Sequence, residues 1–140
     1  NLARLCRLAA AGVPVPFGRI SNRRDLIGVD NLADLLARCV RHPAAAGRVF
    51  LAADGTPLST PALFSLLAHA MGRRARLLPV PVAALRLLGR ATGRGDEIER
   101  LVGSLEIDAS ATRRVLSWQP PVPTEDGLRA MATAYLAGQR

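Results

Sequence analysis

Apolar residues recur at helical spacing in six stretches of the chain, separated by glycine and proline. The first repeat, Leu2, Leu5, Leu8 and Ala9, predicts a helix that stops at Gly12. The same spacing predicts a helix from an Asp30 N-cap to His42, one capped by Ser59 and stopped by Gly72, one through Val82 and Leu88, a short one from Asp108 to Leu116, and a last one from about Thr124 to Leu136.

Four shorter runs have the composition of strands and alternate with these helices. They cover residues 24–29, 48–52, 76–78 and 104–107. The stretch from Gly89 to Gly95 is predicted to be flexible. Without repeats or a linker, the pattern predicts one α/β domain over residues 1–140, a small mixed domain with few short strands and about five to six helices. The strands are too few for a self-sufficient doubly wound sheet.

Composition narrows the chemistry. The formal net charge is +8, aromatic residues make up 4%, and all 19 basic residues are arginines, because the sequence contains no lysine. A phosphate-loop lysine, a Schiff base and the tyrosine–lysine pair of short-chain dehydrogenases are therefore excluded within this chain. The glycines at 89, 93 and 95 follow a helix rather than a strand, so no dinucleotide loop is expected.

Other features predict a cytoplasmic piece of a larger protein without metal or membrane span. His42 and His69 lack neighbouring ligands, and Cys6 and Cys39 fit buried thiols. No stretch suits a membrane span or a signal peptide, and no membrane partner is expected. The chain opens on Asn1 within a helical pattern, which predicts a fragment.

Arginine is then the residue type left to carry binding chemistry. Arg23 and Arg24 precede a predicted strand, and a planar guanidinium can clamp a phosphate with two parallel hydrogen bonds. Both side chains could equally be solvated. Arg100 lies between acidic and apolar neighbours, and it could simply pair with those acids.

The order of several motifs resembles the C-terminal half of nucleotide-sugar epimerases and dehydratases, in the extended short-chain dehydrogenase/reductase superfamily. The segment from Arg24 to Ala33 is similar to the family signature Arg-Asp-Tyr-Ile-His-Val-x-Asp-Leu-Ala, with Leu26 and Gly28 in place of Tyr and His. Further similar segments are Asn1-Leu2, Pro16-Phe17-Gly18, Phe50-Leu51 with Asp54-Gly55, Gly103-Ser104-Leu105 with Asp108, and Leu116 to Pro121 with Gly127-Leu128.

The resemblance, which is to the UDP-glucose 4-epimerase group, implies roles for individual residues. Arg24 and Arg100 would hold the diphosphate of a UDP-sugar, Asn1 would bond its phosphate or sugar, and the backbone around Val15 and Phe17 would face the uracil. NAD and the catalytic tyrosine and lysine would belong to an N-terminal Rossmann domain, so this chain would supply no catalytic residue and show no turnover alone.

Two other functions stay open from the residues. One is a non-catalytic, dehydrogenase-like regulatory or interaction protein. The other is a basic nucleic-acid-binding module, suggested by an isoelectric point near 11.4. Against the latter, the arginines are scattered and lack stacking aromatics, so no nucleic-acid partner is expected. The expected partners are the UDP-sugar and the Rossmann domain, and the exposed docking surface could also pair with a second copy of the chain. Trp118 is expected to be structural.

Overall fold

The computed structural model describes residues 2–138 and contains seven α-helices within that range. They are α1 (Leu2–Ala11), α2 (Val29–Arg41), α3 (Thr60–Ala70), α4 (Val82–Ala91), α5 (Gly95–Val102), α6 (Ser110–Leu116) and α7 (Thr124–Ala137), with a short 3₁₀ helix at Pro43–Ala45. The predicted Ser59 cap is confirmed, because its side chain accepts a hydrogen bond from the Ala62 amide at 3.2 Å.

The predicted mixed α/β class is wrong, because none of the four expected strands forms a ladder in residues 2–138. Extended segments meet only at isolated bridges, which join Val15 to Leu77 and join Arg24 to both Leu58 and Leu105. A strand is stabilised by repeated pairing along a partner, whereas three of these runs meet a neighbour only at single bridges and the fourth, residues 48–52, meets none among the described residues. The described fold is therefore helical, with short extended connections.

Segment 48–52 shows why alternation alone was misleading. Val49 and Leu51 are exposed, whereas Phe50 and Ala52 are half-buried, so the side chains alternate as they would in a strand. No bridge involves this segment in the described part of the chain. The local pattern is that of a strand, but residues 2–138 supply no partner strand for it.

Helix α5 was missed, and the Gly89–Gly95 stretch is not a flexible loop throughout. Gly89 is buried in the last turns of α4, and a Cβ atom there would meet Ile98 Cγ1 at 2.7 Å. The glycine therefore permits α4 and α5 to pack closely together. Of the glycines at 89, 93 and 95, Gly93 alone, with φ of +68°, has the left-handed backbone expected after a helix end.

Two predicted helix caps also shift. Asp30 lies inside α2, because the helix begins at Val29 and Gly28 takes the N-cap position. Asp54 replaces it from another part of the chain, accepting the Gly28 amide at 3.0 Å. Asp108 lies one residue before the assigned cap, Ala109, but its carboxylate still accepts the Ser110 amide at 2.9 Å.

The core divides into two clusters. The larger is built on α1, α3 and α7 and includes Phe64, whose ring meets that of Phe17 edge to face at 5.7 Å between centroids. The smaller contains Leu35, Leu116 and Trp118. Trp118 is 3% exposed and donates its indole N–H to Asp34 at 2.7 Å, which agrees with the structural role expected for it.

Candidate functional site

The segment Arg23–Asp25 is held between two neighbouring extended stretches. The Arg24 amide donates to the Leu58 carbonyl at 2.9 Å and the Leu58 amide returns the bond at 2.9 Å. On the other side the Asp25 amide donates to the Leu105 carbonyl at 2.9 Å. These pairings fix the backbone from which the Arg24 side chain projects.

The Arg24 guanidinium lies at the C-terminal end of α5. Its Nη1 donates to the backbone carbonyl of Arg100 and, at 3.4 Å, to that of Gly103. Carbonyls at a helix C-terminus lack helical partners and carry partial negative charge, so a cation is stabilised there. The structure therefore brings the two arginines of the predicted site together, through the side chain of one and the backbone of the other.

Arg100 itself presents its side chain to solvent. It is exposed, and no ion pair involves it within residues 2–138. The acidic neighbours that could have paired with it bond elsewhere: Glu97 with Arg4 at 2.7 Å and Glu99 with Arg86 at 2.8 Å. The Arg100 guanidinium is thus available to a ligand at the end of α5.

Asn22 is a positioning residue that the sequence did not single out. Its side chain donates to the carbonyls of Leu101 and Gly103 at 3.2 and 3.0 Å and accepts the Thr60 amide at 2.8 Å. The Thr60 hydroxyl donates to the same Leu101 carbonyl at 2.8 Å. Asn22 is 5% exposed, so this network joins the end of α5 to the start of α3 directly behind Arg24.

The residues flanking Arg24 have structural partners. Arg23 forms an exposed ion pair with Glu106 at 3.0 Å. Asp25 accepts the Ile107 amide through Oδ2 at 2.8 Å, and its buried Oδ1 has no hydrogen-bond partner among the described residues. Asp25 therefore orients the chain at residues 104–107, and no bond links its carboxylate to Arg24.

Val15 and Phe17 make a different set of contacts from Arg24 and Arg100. Both are buried, at 3% and 5% exposure, and the Val15 amide and carbonyl are bonded to Arg76 and Leu78 at 2.9 and 2.8 Å. No hydrogen bond in the described part joins them to Arg24 or Arg100. Asn1, the remaining predicted site residue, lies outside the described residues, so its role and those of Val15 and Phe17 stay predictions.

The signature that begins at Arg24 includes Asn31, whose buried side chain is the centre of a hydrogen-bond network, the Asn31 network. This side chain, 1% exposed, donates to Asp54 Oδ1 and to the Val122 carbonyl, both at 2.8 Å, and accepts the Val122 amide at 2.9 Å. Asp54 also accepts the Gly28 amide. The Asn31 network fixes the start of α2 relative to the chain before α7, and it holds the extended segment that carries Arg24.

An open cleft of about 610 Å³ adjoins the Asn31 network. The cleft is lined by Asp54, Thr56, Arg113 and the segment from Gln119 to Asp126. Arg113 packs against Gly55, whose φ of +82° excludes most other residues. Three carboxylates line the cleft against one guanidinium, so a negatively charged ligand is not favoured there.

The described residues do not fit a dinucleotide cofactor or a metal. Gly89 and Gly93 serve helix packing and a helix end, so neither belongs to a glycine-rich turn that links a strand to a helix. No group of three His, Cys, Asp or Glu side chains in that range could hold a metal ion. No helix there is long and apolar enough to cross a bilayer.

Asp108 lies in the segment that follows the site. Its pKa is lowered below the ordinary range, chiefly by the hydrogen bonds from the side chain and backbone of Ser110 and further by the nearby guanidinium groups of Arg114 and Arg113. The carboxylate therefore stays charged at neutral pH at the start of α6.

Comparison with known proteins gives one clear similarity. The chain is 41% identical, over 137 residues, to a protein named UDP-glucose 4-epimerase from Vibrio cholerae. The match covers 97% of this chain and 42% of that protein, so the chain spans less than half the length of its relative. No protein-family model matches the chain. No solved structure matches it significantly. The resemblance read from the ordered motifs is confirmed: over nearly all of its length, this chain is similar to part of a UDP-glucose 4-epimerase.

Proposed function

We propose that this chain is the substrate-binding, C-terminal part of an NAD-dependent nucleotide-sugar epimerase, and that it holds the diphosphate of a UDP-sugar. The observation that carries the proposal is its similarity, over almost its whole length, to a protein named UDP-glucose 4-epimerase. The motif order, from the Arg24 segment to Trp118, supports the same assignment.

Arg24 is the proposed phosphate anchor, and the chemistry of its side chain supports this. A guanidinium has five N–H donors. Nη1 donates to the carbonyls of Arg100 and Gly103, while Nε and Nη2 have no hydrogen-bond partner among residues 2–138. Those two nitrogens lie on one edge of the planar group, the geometry that binds two phosphate oxygens at once.

The second cation of the proposed site is Arg100. Its backbone carbonyl accepts a hydrogen bond from Arg24, and its own side chain is exposed and unpaired in the described part of the chain. A diphosphate carries charge on both phosphates, so two arginine side chains borne at the same end of α5 would suit it better than one. Binding energy from this remote group would hold a sugar that must be oxidised and reduced again.

The proposal requires a second domain for NAD and for the catalytic residues. NAD would accept and return a hydride there, and the residues described here do not fit that cofactor. Accordingly we expect no turnover from residues 1–140 alone, and we expect UDP-sugar conversion when the Rossmann part is present.

One surface suits the expected contact with a β-sheet of that domain. Segment 48–52 forms no β-bridge within residues 2–138, although its Leu51 carbonyl accepts the Thr112 hydroxyl at 2.7 Å, and Val49 is 93% exposed. Beside it lies a mainly apolar groove of about 710 Å³, lined by residues that include Leu36, Val40 and Phe50. A segment that has no partner strand and carries outward apolar side chains can add to a sheet edge. A Val49→Asp substitution should therefore weaken association between separately expressed domains.

The substrate class is tested by calorimetric titration with UDP and with UMP. The protein titrated is the complete polypeptide, meaning this chain together with the proposed Rossmann part. The proposal predicts that UDP binds at least tenfold more tightly than UMP, because only UDP offers two phosphates to the arginine pair. An Asp30→Ala variant, changed at an exposed site in α2, should keep this preference. Equal affinity for the two nucleotides would contradict the proposed diphosphate site.

A further inference from the structure

Helix α4 exposes apolar side chains on the side that faces away from the domain. Leu87 and Leu88 are 70% and 61% exposed, and Ala83, Ala84 and Ala91 are exposed beside them. On the opposite side of α4, Leu85 and Gly89 are buried against the core and α5. A surface helix normally places polar residues on its outer face, so an apolar outer face indicates a contact.

The stretch of sequence that contains α4 is strongly basic. Between Asp54 and Asp96 there is no acidic residue, and the same stretch contains six exposed arginines: Arg73, Arg74, Arg76, Arg86, Arg90 and Arg94. Arg86 pairs with Glu99 at 2.8 Å. The other five form no ion pair within residues 2–138. The partner of this surface therefore combines negative charge with an apolar interior.

We propose that the outer face of α4 docks on an anionic lipid surface. Leucines entering the boundary between headgroups and acyl chains, with arginines at the headgroups, are the arrangement by which an amphipathic helix lies on a membrane. The contact needs no spanning segment, and it departs from the sequence-based expectation of no membrane partner, which stays a prediction.

Charge and composition separate this partner from two others. A second copy of the chain would bring Arg90 and Arg94 near a partner of the same high positive charge, which opposes association. A nucleic acid would leave Leu87 and Leu88 unused, and the one aromatic residue in the stretch, Phe64, is 1% exposed and cannot stack on bases.

The test is flotation of the complete polypeptide that contains this chain, with vesicles of phosphatidylglycerol and phosphatidylcholine in equal amounts, or of phosphatidylcholine alone. We expect binding to the anionic vesicles only, weakening as sodium chloride rises from 50 to 500 mM. Leu87→Ser with Leu88→Ser should lower the affinity by at least tenfold. Arg90→Gln with Arg94→Gln should lower it by about 25-fold, at about fivefold per arginine.

A matched control changes a different exposed apolar surface. Leu36→Ser with Val40→Ser alters the groove beside segment 48–52 and should leave vesicle binding within twofold of wild type. Equal loss in this control, or equal binding to both kinds of vesicle, would overturn the proposal. So would a concentration-dependent dimer in light scattering that the α4 variants abolish, with no vesicle binding. The assay contains no nucleotide, so its result is independent of the proposed UDP site.

Discussion

Replacing Gly89 by alanine is expected to destabilise the protein, although alanine is the better helix former. In the interior of α4, alanine is favoured over glycine by about 1 kcal/mol. The new Cβ, however, would meet Ile98 Cγ1 at 2.7 Å and Ile98 Cβ at 3.2 Å. Overpacking of this kind costs about 1–3 kcal/mol, so the clash exceeds the helix gain and we expect a net loss of about 1 kcal/mol.

Gly127 provides the matched control, because it also lies in a helix. A Cβ there would meet nothing within 4 Å, so Gly127→Ala should stabilise the protein by about 1 kcal/mol. In urea, at a slope of about 2 kcal/mol per molar, the two variants should unfold about 1 M apart. Ile98→Ala should cost less in the Gly89→Ala background than in wild type. If both glycine variants stabilise equally, the close packing of α4 on α5 is refuted.

Two further predictions concern buried groups. Asn31→Ala should lower the free energy of unfolding by about 3 kcal/mol, because it leaves the Val122 amide and carbonyl without partners, whereas Asp30→Ala should cost under about 1 kcal/mol; equal losses in urea titrations would contradict this. Burial raises the pKa of the Cys6 thiol, so in native protein at pH 8 a maleimide should label half-buried Cys39 well before Cys6. The Cys6 thiol ionises at a lower pH in the unfolded chain than in the folded protein, so the free energy of unfolding should fall as the pH rises above about 9. Cys6→Ala should reduce that fall. Comparable labelling of both cysteines would oppose this account.

Helical periodicity predicted most of the fold. Each of those helices buries one face, and the apolar residues of that face recur at short, regular spacing in the sequence. Ser59 could be identified as a cap because its partner amide lies three residues away. Helix α5 was missed because its neighbouring glycines suggested flexibility. The spacing of Ile98, Leu101 and Val102 after two acidic residues would have indicated it.

The strands and the supporting network could not be obtained in the same way. Whether residues 48–52 pair depends on a partner that local sequence does not specify. Asn22 and Asn31 act through contacts 79 and 91 residues away, so the sequence around them does not identify the groups that they bind. Arg24 was identified through a family motif, and its contact with the end of α5 required the folded chain.

The most direct test of the proposed function is calorimetric titration of UDP into the complete polypeptide and its Arg24→Ala variant. A charge-assisted hydrogen bond contributes about 1.5–3 kcal/mol, so the variant should bind UDP roughly ten- to a hundredfold more weakly. Arg24→Lys should restore part of the loss, because a point charge cannot form two parallel bonds. Arg23→Ala is the matched control and should have a much smaller effect, because Arg23 pairs with Glu106. An Arg24→Ala affinity within twofold of wild type would remove Arg24 from the site and contradict the account.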